Sequence, residues 1–372
     1  MKIRPAFFQI HRYLGLLAAI PLLLLAVTGA VLVFEDNLDR ALKPSYCYVH
    51  PSGSPATAQQ IIDAALAARP GDLVTTFRLP VDPGVAAEVT LKSGLIETID
   101  PYTLRILGSR RRDQILTSKI HQFHTRLLMG DAGERITTVG ALLLIVLSIT
   151  GIYLWWNRRS FGIKWSAPWR RVNYDAHYAL GFFGLVPWLV LGATGAAIGL
   201  EGTVRPALYR MTHSQPAVTP PLRSTRTKGA SRISIDAALA SAAAALPGAQ
   251  TAIVILPQNP TGVYLAYMKF PEDHTPAGRS HVALDQYSGR VIWLENSRTA
   301  PAGTRLWNIN RPIHTGDIFG WPTRILACLL SALLAVQTIS GVWMWLPARR
   351  AKRRDSEGAE SPQPSIETAA PL

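Results

Sequence analysis

Four histidines occupy places where packing does not ask for an ionisable, metal-binding side chain: His11, His124, His177 and His314. They come in matched pairs. The stretch "QIHRYLGLLAAIPLLLLAVTGAVLVFED" (9–36) aligns without a gap on "DAHYALGFFGLVPWLVLGATGAAIGLEG" (175–202), which sets His11 on His177, Gly15 on Gly181, Pro21 on Pro187, Thr28-Gly29 on Thr194-Gly195 and Glu35 on Glu201. "HTRLLMGDAGERITTVGALLLIVLSITGIYLWW" (124–156) likewise follows "HTGDIFGWPTRILACLLSALLAVQTISGVWMWL" (314–346), with His124 on His314, Gly130 on Gly320, Gly151 on Gly341 and Trp155 on Trp345. One compensated gap brings Arg135 onto Arg324. Neutral imidazole is the commonest metal ligand, and two imidazoles brought from opposite sides of a helix bundle suit a low-spin haem, one on each face of the ring. The pairing His11/His177 and His124/His314 therefore predicts two non-covalent b-type haems.

His121 precedes His124 by one helical turn, so the two approach from the same side and do not form a trans pair. It stays open as an alternative ligand, a propionate contact or part of a small-ion site, while the repeat favours His124, because Arg311 stands where His121 would be matched. His50, His213, His274 and His281 have no matched partners and read as solvated. A histidine at a membrane surface can also be merely an amphipathic residue with a polar tip. It is the duplication that tips the reading to ligation.

The elements that must position these residues are apolar helices. Runs near 13–35, 135–157, 177–200 and 323–346 each have the length of about 20 residues that crosses a bilayer. The first is too long for the apolar part of a signal peptide, and its twin lies deep inside the chain. Net charge is +14, but the basic residues gather in three places: Lys2, Arg4 and Arg12 before the first span, Arg158, Arg159, Lys164, Arg170 and Arg171 between the second and third, and Arg349, Arg350, Lys352, Arg353 and Arg354 after the fourth. That pattern puts both termini and the short middle loop in the cytoplasm and both long loops outside; it does not point to nucleic acid. Cys47 and Cys328 lie in an outer loop and a span, so they are not expected to pair, and no CxxCH motif offers a covalent haem attachment.

The outer loops resemble one another. "ATAQQIIDAALAARPG" (56–71) and "ISIDAALASAAAALPG" (233–248) read as helices ending at Pro-Gly, followed by alternating stretches such as "AAEVTLKSG" and "GVYLAYMKF" and by the turns "IDPYTLRILG" (99–108) and "LDQYSGRVI" (284–292). The fold class expected is an α-helical transmembrane bundle of four spans, internally duplicated, carrying two outer α+β domains. Its parts are 1–35 (first span with the N-terminus), 36–120 (first outer domain), 121–157 (approach helix and second span), 158–173 (inner loop), 174–200 (third span), 201–306 (second outer domain), 307–346 (approach and fourth span) and 347–372, a disordered tail.

The helix-plus-sheet units ending in D-x-Y-[TS]-x-[KR]-[VI]-[LI] resemble the PepSY domain. The spans carrying "IHRYLGL", His-Thr before a glycine, and "TG…W…RR" are similar to the PepSY-associated transmembrane family of bacterial inner-membrane proteins. The resemblance covers everything but the tail, and is strongest to ferrioxamine-reducing members. It implies an inner-membrane reductase with two haems that passes electrons to a ferric siderophore in the periplasm, where the outer domains would lie. Leu104 departs from the pattern by replacing the usual turn glycine, which leaves the geometry of the first outer turn in question.

Arg135 and Arg324, which open spans on the outer side, and Arg12 and Arg126, beside candidate ligands, suit haem propionates and lipid phosphates equally. Trp307, Arg311 and Asp317 are the nearest residues to line an acceptor pocket beside His124 and His314. Pro21 and Pro187 are expected to kink both spans alike. No nucleotide-binding motif occurs, so electrons would come from a separate cytoplasmic reductase, a free reduced flavin or membrane quinol. Two rival readings are a non-enzymatic scaffold presenting two binding modules and a siderophore or metal permease. An unbroken set of spans poor in polar residues argues against the permease.

Overall fold

The computed structural model describes residues 3–80, 82–156, 161–225 and 229–359, over 347–359 by backbone alone. The basic positions Arg158 and Arg159, and the tail from residue 360, lie outside the described residues. The chain begins with α1 (Ile3–Leu32), α2 (Glu35–Leu42), α3 (Pro44–Cys47) and α4 (Ala58–Ala68). Strands β1 (Val74–Arg78), β2 (Ala87–Leu91), β3 (Leu95–Ile99) and β4 (Ile106–Arg111) precede α5 (Leu116–Arg126) and α6 (Asp131–Trp156). The order then recurs: α7 (Trp169–Phe183), α8 (Leu185–Gly199), α9 (Glu201–Met211) and α10 (Ile235–Ala245), then β5 (Gln250–Ile255), β6 (Val263–Lys269), β7 (Ser280–Asp285) and β8 (Val291–Glu295), then α11 (Ala302–Thr315) and α12 (Trp321–Ala359). The backbone of α12 stays helical well past residue 347, where a disordered tail was expected; "ARRAKRR" is built of good helix formers. The chain divides into two compact units, cutting the long helices near Val27, Gly140, Gly192 and Leu330.

The first unit holds the chain up to Val27, Gly140–Gly192 and the chain from Leu330. α1, α6 and the Trp321–Leu346 part of α12 are each long and apolar enough to cross a membrane; α7 and α8 qualify together as one bent span. Their apolar residues run all round, as in a helix with lipid on one side and neighbours on the other. Leu17 and Ile20 are exposed, while Ala18, Leu22 and Ala26 pack on Leu144, Trp188, Leu334 and Ala335.

The two prolines do not act alike, contrary to the sequence expectation. α1 runs unbroken through Pro21, whereas α7 and α8 meet at Gly184 with a bend of 63°. The cause is local. Gly184 and Trp188 stand where the first half has Ala18 and Leu22, and a Cβ on Gly184 would lie 2.5 Å from the Trp188 ring. The indole thus fills the space of the missing methyl group and donates from Nε1 to the Leu330 carbonyl at 3.0 Å. Pro187 removes one N–H from the same turn. The third span is therefore broken, which withdraws one argument raised against a permease. The backbone nevertheless stays bonded around the bend, with Gly184 N on Leu180 O at 2.7 Å and Trp188 N on Gly184 O at 2.8 Å.

The second unit holds Thr28–Val139 and Ala193–Leu329. Its two long loops are not separate sheets: they form one antiparallel sheet of eight strands, ordered β4-β3-β2-β1-β5-β6-β7-β8. The halves join where β1 pairs with β5, Phe77 opposite Val254. The alternation in β2 and β6 sends Ala87, Val89, Leu91, Tyr264, Ala266 and Met268 to one face, where Ile61, Ile62 and Ala65 of α4 and Ile235, Ala238 and Ala242 of α10 cover them. The helices cap each other. Asp236 accepts from Ala58 N at 2.9 Å and Gln59 N at 3.3 Å, and the Gln59 side chain accepts from Ile235 N at 3.3 Å. Each loop also repeats one turn. Tyr102 N donates to Asp100 and Tyr287 N to Asp285, both at 2.9 Å. Leu104 (φ 59°) adopts the left-handed conformation that Gly289 (φ 70°) holds in the other loop, so the turn survives without its glycine.

Candidate functional site

Each unit brings one of the two matched histidine pairs together. In the first unit, His11 of α1 and His177 of α7 line one cavity of about 420 Å³, walled largely by apolar and aromatic side chains that include Leu22, Leu144, Phe182, Trp188, Leu334 and Trp345. Matched glycines make room for the rings. A Cβ on Gly151 would stand 3.3 Å from His11 Cε1, and one on Gly341 would stand 3.2 Å from His177 Cε1. The His11 Nδ1 lies 2.8 Å from the Thr150 hydroxyl. That hydroxyl gives its own proton to the Val146 carbonyl at 2.8 Å, so its oxygen accepts from His11 Nδ1–H. The tautomer that results leaves Nε2 bare, the form in which imidazole binds a metal.

In the second unit, His124 of α5 and His314 of α11 face each other with ring centres 6.4 Å apart and planes at 54°. Their Nδ1 atoms meet matched threonines, His124 on Thr28 at 2.8 Å and His314 on Thr194 at 2.9 Å. An imidazole nitrogen sits about 2 Å from a metal ion and its ring centre about 1 Å further out, so two imidazoles trans across one ion stand roughly 6 Å apart. The observed separation has that value. Among the described residues no three His, Cys, Asp or Glu side chains converge as a metal cage. Two facing imidazoles, each oriented through Nδ1, instead fit a group that brings its other ligands with it, as a porphyrin does.

The remaining expected site residues divide. His121 Nδ1 is engaged by Glu35 at 3.0 Å. Arg12 lines the first cavity, its Nη2 on the Tyr13 hydroxyl at 2.9 Å and its Nε buried without a partner. Arg126 pairs with Glu134 at 3.0 Å and Asp131 at 3.8 Å, and Arg135 is exposed. Arg324 is committed to the end of α1: it donates to the Val33 carbonyl from Nη2 at 2.6 Å and from Nε at 3.1 Å, and its guanidinium lies over Phe34 and Trp321. Trp307 is half-buried and Arg311 exposed on α11. Asp317 accepts from Thr315 at 2.7 Å and stands 3.6 Å from Arg324, bracing the loop rather than presenting a free carboxylate.

The residues missed from sequence are those behind the imidazoles: Thr28, Thr194, Thr150 and the pair Asn173–Ser340. The signal was present for the first two, which sit in the matched Thr-Gly dipeptides one span-length after His11 and His177, although the histidines they touch are His124 and His314.

A family model described as the PepSY-associated TM region matches residues 8–347. The chain belongs to that family and is a membrane protein. A comparison with curated proteins finds no match.

Proposed function

We propose that the protein is a di-haem reductase of the bacterial inner membrane, carrying electrons from the cytoplasmic side to a ferric siderophore in the periplasm. The observation that carries this reading is the His124–His314 pair, 6.4 Å between ring centres with both Nδ1 atoms on threonine hydroxyls. His11 and His177 would hold the second haem in the cavity they share. Bound haem supplies the one-electron chemistry. The chain's own residues ligate, exclude water and fix the imidazole tautomers. Matching loops on the side of His124 and His314 support placing the acceptor there, with Arg311 an exposed cation three residues before His314. Reduction releases iron because hard oxygen ligands hold Fe(II) more weakly than Fe(III). The donor would be quinol, reduced flavin or a separate cytoplasmic reductase.

The test is the visible spectrum of the detergent-purified protein, oxidised and after dithionite. The expected result is two haems per chain with low-spin bands, oxidation of the reduced protein by a ferric hydroxamate, and Fe(II) appearing with a ferrous chelator. His177→Ala and His314→Ala should each remove one haem. A colourless protein that haemin does not reconstitute would leave the scaffold reading. Ferric siderophore crossing vesicles without reduction would favour the permease, whose one supporting feature is the bend at Gly184.

A further inference from the structure

The four imidazoles are not equivalent. Three place Nδ1 on a threonine hydroxyl: His11 on Thr150, His124 on Thr28 and His314 on Thr194. The fourth, His177, has a buried Nδ1 with no partner. Its backbone frame is nevertheless the same. Gly341 faces the edge of the His177 ring at 3.2 Å as Gly151 faces that of His11 at 3.3 Å, so residue 340 stands to His177 as Thr150 stands to His11.

What differs is the side chain at 340 and what draws it away. Position 340 is serine, and its hydroxyl points at the Asn173 carbonyl at 3.4 Å, while Asn173 Nδ2 donates to the Ser340 carbonyl at 3.2 Å. In the aligned first half the place of Asn173 belongs to Phe7, which has no side-chain amide to donate such a bond. A third exchange lies one turn away, with Gln337 where the first half has Leu147. Its Nε2 donates to the His177 carbonyl at 3.1 Å, and its Oε1 is buried without a partner at the cavity. The pattern of the repeat thus changes at three positions around one histidine, twice from an apolar to a polar residue (Phe7 to Asn173, Leu147 to Gln337) and once from threonine to serine. Polar groups inside a span cost free energy and mark function.

We propose that His177 is the exchangeable ligand of the four, and that its side of the cavity is a binding site for a small neutral ligand of ferrous iron, for which carbon monoxide is the probe. This rests on the haem reading above. An imidazole whose Nδ1–H meets an acceptor is held in one tautomer and one orientation and is the more basic ligand. Loss of such a partner weakens metal binding by about 10–100-fold. His177 lacks that support while His11, across the same cavity, has it. The bond on the His177 side is the one that yields, and Gln337 Oε1 lies on the same cavity wall.

Two measurements test this, one without haem. In the haem-free protein labelled with ¹⁵N-histidine, His11, His124 and His314 should show the tautomer protonated at Nδ1, and His177 should not share it. In the two-haem protein reduced with dithionite, carbon monoxide should bind one haem per chain. Ser340→Thr, which restores the first half's residue, should weaken that binding tenfold or more, and so should Asn173→Phe, which removes the side-chain amide's hydrogen bond to the Ser340 carbonyl and restores the aromatic side chain. Two haems per chain in the oxidised spectrum of each serine or asparagine variant show that it has folded. A wild-type protein with two haems that ignores carbon monoxide overturns the proposal and leaves the haem reading standing, as does binding unchanged in both variants. A protein that takes up no haem sinks both.

Discussion

At the residue scale, the hydrogen atoms of two glycines and the hydroxyls of three threonines decide what the histidines can do. A Cβ at Gly151 or Gly341 would enter the space of an imidazole edge at 3.3 or 3.2 Å, tighter than side chains ordinarily meet. On the di-haem reading proposed above, Gly151→Ala should therefore displace His11 and lower haem content from two to one per chain by pyridine haemochrome, and Gly341→Ala should do the same at His177. Thr28→Val keeps the volume and removes the hydroxyl beside His124. It should retain the haem but shift its midpoint potential, a change that lost packing alone would not produce. Outside the spans, burial pushes the Cys47 thiol above its ordinary value, so less of it is thiolate at pH 8. Labelling of Cys47 by a maleimide should be slow in the folded protein and become fast on unfolding, as peptide mapping would show.

At the element scale, the bend of the third span is a three-residue device. Gly184→Ala alone forces a methyl group to within 2.5 Å of the Trp188 ring and should destabilise the protein by about 1–3 kcal/mol. Adding Trp188→Leu, which with the first change recreates the Ala18/Leu22 pair of α1, should recover part of that loss. The coupling is read from thermal unfolding of the single and double variants in detergent. A comparable fixture ties α2 to the sheet. Arg110 donates to both oxygens of Asp39, at 2.8 and 2.7 Å, with Glu88 3.6 Å away. The arginine side chain is only 10% exposed, so Asp39→Ala strands a buried cation and should cost on the order of 3 kcal/mol. The bend was hidden in the sequence because Pro21 and Pro187 occupy matched places, and the deciding difference lies at Ala18 against Gly184, a single methyl group whose effect depends on the ring four residues on.

For the whole molecule, the long apolar helices, the loop helices, their turns and which histidines share a unit were legible, because periodicity and a repeated pattern survive without knowledge of contacts. Helix 56–71 was found at Ala58–Ala68 and helix 233–248 at Ile235–Ala245. Two expected outer domains proved to be one sheet, since nothing in "VTTFR" or "QTAIVI" declares that its partner is the other. The threonine contacts stayed hidden for a related reason: Thr28 and His124 lie on different helices, and spacing within one helix is silent about its neighbours. The seam gives a whole-molecule test. Halves expressed as separate chains, cut between 161 and 168, should each aggregate through an open β1 or β5 edge. Co-expressed, they should copurify with the histidine sites assembled.

That seam also sets a schedule. β1 is made early, and the strand that completes it, β5, is the first strand of the later half. At the usual rate of about 5–20 residues per second, the first half waits roughly 10–30 s with an open edge before its partner is translated. The reciprocal cap between Asp236 and the start of α4 can form only after the same delay. Slowing translation between the halves should lengthen the interval in which the nascent chain depends on a chaperone, and depletion of chaperones should lower the yield of this protein more than that of a two-domain chain whose sheets close separately.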